Sequence, residues 1–377
     1  MSRDATPVPA VVNLLGLDRA ALTRYFADLG ETPYRARILM RWVYKQGVTD
    51  FASMTDLSKS LRARLAAEAE LRPPEVADRQ CSADGTVKWS MRTDAGDLVE
   101  TVLIPDGGRN TLCISSQAGC ALDCAFCATG KQGFNGNLSP AEIGGQVWLA
   151  ARELASRGDA RGITNVVFMG MGEPLLNFDA TTTVANLLID DYAYGISKRR
   201  VTVSTAGVVP RIRELAGRTD CALAVSLHAP DDALRDELVP LNRRYPLAEL
   251  LDACGEYLSQ VGERRSVTME YALIKGWNDT LDHARALAKL LRPLRTKINL
   301  IPFNPFPGSG FERPDDDVLR AFQTSLMNAG YTATLRTTRG ADIAAACGQL
   351  VGAVRDRTNR SARHARIQAR IRAQEVA

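Results

Sequence analysis

The sequence predicts an α/β fold: a partial (β/α)6 barrel, with a small helical module ahead of it and a short antiparallel β extension between the two. Three observations support this. From residue 110 onward, short apolar runs alternate with amphipathic stretches long enough for crossover helices, the pattern of a parallel sheet. Before residue 70 the apolar residues recur at helical spacing, whereas between residues 76 and 104 they alternate with period two. Polar side chains and glycines gather just past the apolar runs, where a parallel barrel assembles its site.

With 377 residues, 45% of them hydrophobic and 24% charged, the chain has the composition of a soluble protein that buries a large core. No stretch approaches the roughly 18 uninterrupted apolar residues of a membrane span, and the opening MSRDATPVPA carries no apolar signal region. A cytoplasmic location without a membrane partner is therefore expected. Eight unevenly placed cysteines then point to reduced thiols with chemistry rather than to a disulfide framework.

Residues 1–75 are read as the helical module. VNLLGLDRAALTRYFADLG has helical spacing with Gly30 as its stop, and RARILMRWVYKQG and LSKSLRARLAAEAE continue the pattern. Arg35, Arg37, Arg41, Lys45, Lys59, Arg62 and Arg64 make this module basic. Trp42 and Tyr44 could stack on bases, but their spacing fits a core position. Residues 76–108 form the antiparallel meander, its strands separated by DG and DAGD turn signals. Alternation sets Glu100 between Leu98 and Val102 on one face, which on periodicity alone reads as a surface position.

Residues 109–354 are read as the barrel. TLCISS, NVVFMG, RRVTVST, ALAVSLH, SVTMEYALI and KINLIPF are its six strands, and SPAEIGGQVWLAARELASRG is a helix capped by Ser139 with Pro140 at its first position. The remaining residues, 355–377, form a tail with seven arginines against one aspartate between Arg355 and Arg372. Basic segments at both ends of the chain suit a polyanion such as RNA, although either alone could be a solvated face.

One loop organises the chemistry. QAGCALDCAFCATG sets Cys120, Cys124 and Cys127 in a C-x3-C-x2-C array. Three thiolates on a short loop can hold an iron-sulfur cube while leaving one iron without a protein ligand. That iron can chelate the amine and carboxylate of S-adenosylmethionine, whose sulfonium then yields a radical on reduction. The alternative is a zinc staple with Cys113 as fourth ligand, although zinc sites usually present paired C-x2-C halves.

Other candidates lie at strand ends. MGMGEPLLN offers Gly170, Gly172 and Glu173, a carboxylate suited to an ammonium group, while Ser204, Ser226, His228 and Asn304 close later strands. Cys81, Cys221 and Cys254 read as small buried hydrophobes. Composition says the same of Cys113 and of Cys347, which sits in TTRGADIAAACGQL.

Taken together, QAGCALDCAFCATG, MGMGEPLLN, VSLHAP, LIPFNPFPGSGF and RTTRGADIAAACGQL closely resemble the radical SAM RNA methyltransferases of the RlmN type. The resemblance spans nearly the whole chain, including PYRARILMRWVY in the helical module. It implies methylation of C2 of adenine in 23S ribosomal RNA and in tRNA; the related Cfr type, which shares these motifs, methylates C8. It further implies a [4Fe-4S] cluster on Cys120, Cys124 and Cys127, and S-adenosylmethionine held by Gly172, Glu173, Ser204, Ser226, Leu227, His228 and Asn304. Cys347 matches the cysteine that is itself methylated, Cys113 its resolving partner through a transient disulfide, and Glu100 the acid/base. A monomer served by an electron donor such as flavodoxin is expected with it. The chemistry is coherent: C2 of adenine has no electron pair with which to attack a sulfonium, so the methyl group must first reside on a good nucleophile such as a thiolate.

Overall fold

The computed structural model describes residues 11–358, so most of the arginine-rich tail lies outside the described residues. Strand β1 (Val12–Asn13) opens the chain, and α1 (Arg19–Asp28) follows with Asp18 accepting from Ala21 N at 2.8 Å as its cap. The helical reading of residues 12–18 is thus corrected: β1 pairs in parallel with β2 (Ala69–Glu70), and helix begins only where Asp18 supplies an acceptor. Between them lie α2 (Tyr34–Met40), extended by a π turn through Lys45, and α3 (Lys59–Glu68). Leu22, Phe26, Leu39, Val43, Leu61 and Leu65 form the core of this module. Trp42 and Tyr44 pack against that core, and the Tyr44 hydroxyl accepts from Gly16 N at 3.0 Å, which agrees with a packing role.

The meander comprises β3 (Glu75–Cys81), β4 (Val87–Arg92) and β5 (Leu98–Asp106). It does not stand apart. β5 pairs antiparallel with β6 (Arg109–Cys113), placing Val102 opposite Cys113, so the meander extends the barrel sheet. Every residue of β3 is exposed, and Cys81 is therefore exposed, contrary to the buried position expected for it.

The cysteine loop lies between β7 (Gln117–Gly119) and β8 (Phe134–Asn137), with α4 (Ala128–Lys131) inside it. Then follow α5 (Pro140–Ser156), β9 (Asn165–Phe168), α6 (Phe178–Ile189), β10 (Val201–Thr205) and α7 (Val209–Leu215). The chain continues through β11 (Ala222–Ser226), α8 (Asp232–Leu238), α9 (Leu247–Val261) and β12 (Val267–Leu273). It closes with α10 (Leu281–Leu291), β13 (Thr296–Pro302), α11 (Asp316–Asn328) and β14 (Ala333–Leu335). Ser139 caps α5 in a capping box with Glu142, as its position predicts.

One ten-stranded sheet runs in the order β14-β13-β12-β11-β10-β9-β6-β5-β4-β3. The six expected strands β6, β9, β10, β11, β12 and β13 lie side by side and parallel, and β14 adds a seventh that the sequence reading lacks. Both edges stay open, which makes the barrel partial. Because every parallel strand points the same way, all their C-terminal ends meet on one face.

The helical module is seated directly on α5 and α6. Ala141 and Leu187 complete its core, and Trp148 Nε1 donates to Val43 O at 3.2 Å. A Cβ on Gly144 would lie 2.6 Å from Gly16 Cα, and one on Gly16 would lie 1.9 Å from Pro140 O. Alanine is favoured over glycine inside a helix by about 1 kcal/mol, but overpacking costs about 1–3 kcal/mol, and here the obstruction is backbone. Gly144→Ala is therefore expected to lower stability by about 1–2 kcal/mol, read as a lower denaturant midpoint; a rise would show that helix propensity prevails.

Candidate active site

The cysteine loop is pinched at its base. Gly119 has φ +76°, Cys120 N donates to Gly133 O at 2.7 Å, and a Cβ on Gly119 would meet that same oxygen at 2.1 Å. Only glycine lets the two sides of the loop close this far. Cys120, Cys124 and Cys127 then line one cavity. Burial, and after it the neighbouring Cys127 and Cys120 sulfurs, pushes the Cys124 thiol well above its ordinary pKa. Such a crowd of thiols calls for a bound cationic body that takes their protons' place.

Among the described residues, no three His, Cys, Asp or Glu side chains are arranged to share a single metal ion. Cys113, the fourth ligand of the zinc alternative, lines a different cavity from the three loop cysteines. Three thiols on one cavity with Cys113 outside it fit a multi-iron cluster with an open corner.

The rest of the cluster cavity is built from strand ends. Gly172 and Glu173 follow β9, Ser204 ends β10, Ser226 ends β11, His228 follows it, and Asn304 follows β13; all six line the cavity. Leu227 does not: its side chain is fully buried in the main core. Gly172, at φ +96°, is required for packing, because a Cβ there would meet Gln117 Cβ at 2.4 Å. Gln117 Oε1 in turn accepts from Glu173 N at 2.8 Å.

Glu173 is a buried carboxyl with unspent capacity. It accepts from Leu175 N at 3.0 Å and from Ala206 N at 2.8 Å, and the Thr205 side chain is a third partner, against the roughly four positions a carboxylate offers. Burial raises its pKa to about 7 against the pull of those three hydrogen bonds. An ammonium group arriving in the cavity would supply the missing countercharge. His228 sits at φ +61°, and its Nδ1 accepts from Ala272 N at 2.9 Å. Burial first, and Arg235 second, lowers its pKa to about 3, so the ring stays neutral. It meets the Phe126 ring edge-on at 4.3 Å, joining the strand end to the cysteine loop.

A second cavity adjoins the first. Cys113, Arg336 and Thr338 line it, while Met169, Asn304 and Cys347 are among the residues that line both cavities. Asn304 Nδ2 donates to Cys347 O at 3.1 Å and its Oδ1 accepts from Thr338 Oγ1 at 2.9 Å, which fixes the cysteine backbone at the junction. Cys113 and Cys347 carry no disulfide here.

Glu100 faces neither of these cavities. It is 4% exposed, which overturns its reading as a surface residue, and it lines a third cavity with Lys88, Lys131, Phe306, Gln349 and Val351. Lys88 Nζ lies 3.0 Å from Glu100 Oε1, and Val351 N donates to Glu100 Oε2 at 2.8 Å. Segment 344–351 partitions the site: residues 344, 349 and 351 face the Glu100 side, and 345–347 and 350 face the cysteine side.

Three charged residues of the site escape the motifs, and a fourth, Arg336, opens the RTTRGADIAAACGQL stretch without being singled out there. Lys88 pairs with Glu100 from the neighbouring strand. Arg235, fully buried, donates to Leu227 O, Ser226 O, Ala206 O and Asn242 Oδ1 and so stitches two strand ends together. Glu270, raised to about 7 by burial, accepts from Asn299 Nδ2 at 2.6 Å. Arg336 stands beside the two site thiols. Nothing in the local sequence distinguishes these from surface charges, because their partners are distant in the chain.

A partial barrel whose strand ends carry a three-cysteine loop and a few polar groups around one cavity defines a radical SAM enzyme. The model of the radical SAM superfamily matches residues 114–291, and that of the ribosomal RNA large subunit methyltransferase N-terminal domain matches residues 12–71. A crystal structure of a radical SAM methyltransferase from Sphaerobacter thermophilus superposes with a TM-score of 0.82 at 45% identity, covering 90% of this chain and 99% of that one. Two similar proteins are each named dual-specificity RNA methyltransferase RlmN. The one from Marinobacter nauticus is 58% identical over 95% of this chain and 97% of its own, and that from Marinomonas sp. is 56% identical over 94% and 96%. The chain belongs to the RlmN family of radical SAM methyltransferases, and its cofactors are a [4Fe-4S] cluster and S-adenosylmethionine.

The buried ion pair gives a direct test of the partition. Lys88→Met strands the Glu100 carboxylate, and losing one partner of a buried pair costs about 3–5 kcal/mol. Chemical denaturation should show a loss of that size, and Lys88→Met combined with Glu100→Gln should recover most of it; additive losses would mean the two charges are not coupled.

Proposed function

We propose that the chain methylates C2 of adenine in RNA, with 23S ribosomal RNA and tRNA as its substrates, by passing the methyl carbon through the sulfur of Cys347. The observation that supports this most is the place of Cys347 on the wall of both inner cavities. One sulfur there faces the cluster cavity on one side and Cys113 on the other.

Cys120, Cys124 and Cys127 hold the cluster, and Gly172, Glu173, Ser204, Ser226, His228 and Asn304 form the S-adenosylmethionine site, with Leu227 supporting it from the core. When bound, these cofactors supply the methyl group, an electron and a hydrogen-abstracting radical. Cys347 takes the methyl group on its sulfur, then gives up a hydrogen atom from it, and the resulting carbon adds to C2. The adduct then sheds one electron, which the cluster would take back, and Glu100 removes the C2 proton, which requires the base to reach across the partition or segment 344–351 to shift. Cys113 attacks the Cys347 sulfur and frees the methylated base.

The basic helical module and the arginine-rich tail supply phosphate contacts, and extruding the base costs a few kcal/mol that these contacts offset. Exposed Arg37, Arg41, Lys45 and Lys59 are the module's candidates. The same reading has the enzyme act as a cytoplasmic monomer served by a flavodoxin-type donor. Among the described residues no helix is long and apolar enough to cross a membrane.

Two variants separate the cysteine roles. Cys113→Ala should trap a covalent protein–RNA adduct, Cys347→Ala should form none, and mass spectrometry of nuclease digests from the parent enzyme should place the methyl group on C2. Equal adduct in both variants, or a methyl group on C8, would overturn the assignment.

A further inference from the structure

Cys113 and Cys347 share their cavity with two arginines, Arg336 and Arg339. Arg336 follows β14, and its backbone N–H donates to Leu300 O at 2.9 Å, which fixes residue 336 beside β13. Its guanidinium lines the cavity with both cysteines. Among the described residues no carboxylate lies within ion-pair distance of it; the nearby Arg339, by contrast, is spent on Asp106 at 2.9 Å. Glu270 contributes charge from β12 but gives its hydrogen bond to Asn299. A half-buried guanidinium without a paired carboxylate, facing two thiols, is placed for a sulfur anion.

Exchange at sulfur needs such a charge. As the Cys113 thiolate attacks Cys347, a sulfur–sulfur bond forms and the sulfur–methylene bond breaks. The bonding pair leaves on the methylene carbon, which takes up one proton to become methyl. The two sulfurs are oxidised by the same two electrons that reduce the carbon. The attacking species is the thiolate, yet burial, and after it the Cys347 sulfur, pushes the Cys113 thiol up to about 12; Arg336 and the Met169 backbone are what act in the other direction. Around Cys347, burial raises the thiol and Glu270 and Cys127 add to it, and again Arg336 opposes them.

We propose that Arg336 is a positioning residue for this exchange, holding the negative charge on Cys113 as that sulfur attacks Cys347. The proposal rests on the roles assigned above to the two cysteines.

The test compares Arg336→Gln, Arg336→Lys and Cys113→Ala in cluster-loaded enzyme with RNA, following the covalent adduct and its release against pH. Arg336→Gln should release adduct about tenfold more slowly at neutral pH, the equivalent of one unit in thiol pKa, with the deficit shrinking as pH rises and hydroxide deprotonates Cys113 unaided. Arg336→Lys should stay within about threefold of the parent, since it keeps the charge. A second readout avoids turnover. In a Cys347→Ala background, the pH midpoint for modification of Cys113 by methyl methanethiosulfonate should rise about one unit with Arg336→Gln. An unchanged midpoint with Arg336→Gln, or an adduct-release deficit equal at every pH, would overturn the proposal. If Cys113→Ala traps no adduct, the exchange itself is wrong and the role of Arg336 falls with it; if Cys113→Ala traps adduct while Arg336→Gln releases it normally, only the role of Arg336 falls.

Discussion

The position of Cys347 depends on a buried ion pair that does not touch it. Lys88 and Glu100, on adjacent strands of the meander, hold the two ends of segment 344–351: Lys88 Nζ reaches Ala344 O at 3.5 Å, and Glu100 accepts from Val351 N. Asp84 accepts from Gly340 N at 2.9 Å, and from the other side Ala128 N donates to Gly348 O at 2.8 Å and Thr129 Oγ1 to Leu350 O. The segment is thereby strung between the meander and the cysteine loop. Taking two charges out of water is costly unless each is also hydrogen-bonded, and here the additional bonds are the ones that hold the segment.

This explains why the meander is continuous with the barrel sheet. A separate hairpin would hold Lys88 and Glu100 in no fixed relation to β6, whereas pairing Val102 with Cys113 sets the carboxylate, the resolving thiol and the partition in one frame. The three cavities follow from it. Cluster ligands, Cys113 and Glu100 each line a different one, and Cys347 is among the five residues, with Met169, Ile301, Asn304 and Leu350, common to the two inner ones.

Much of the framework was legible because it rests on local signals. The capping box at Ser139, the period change near residue 70 and the six apolar runs each report on neighbours a few residues apart. Misreadings arise where distant partners decide. Glu100 sits between apolar residues in either case, and only Lys88 and Val351, the latter 251 residues away, make it buried. Cys81 looks like a core residue until β3 is found to be an exposed edge. Three-residue β14 has too little length for alternation to register, and with it the placing of Arg336 was hidden. The cysteine array identified the cofactor chemistry through spacing, while the roles of Cys113 and Cys347 came from resemblance, since burial and periodicity treat them as ordinary core thiols.

The account stands on methyl transfer through the sulfur of Cys347. Enzyme supplied with S-adenosylmethionine bearing a fully deuterated methyl group, followed by mass spectrometry of the RNA and of the released 5'-deoxyadenosine, tests this most directly. Passage through a cysteine-bound methylene predicts RNA carrying a methyl group with two deuterium atoms and the third in 5'-deoxyadenosine. A methyl group arriving with all three would contradict it.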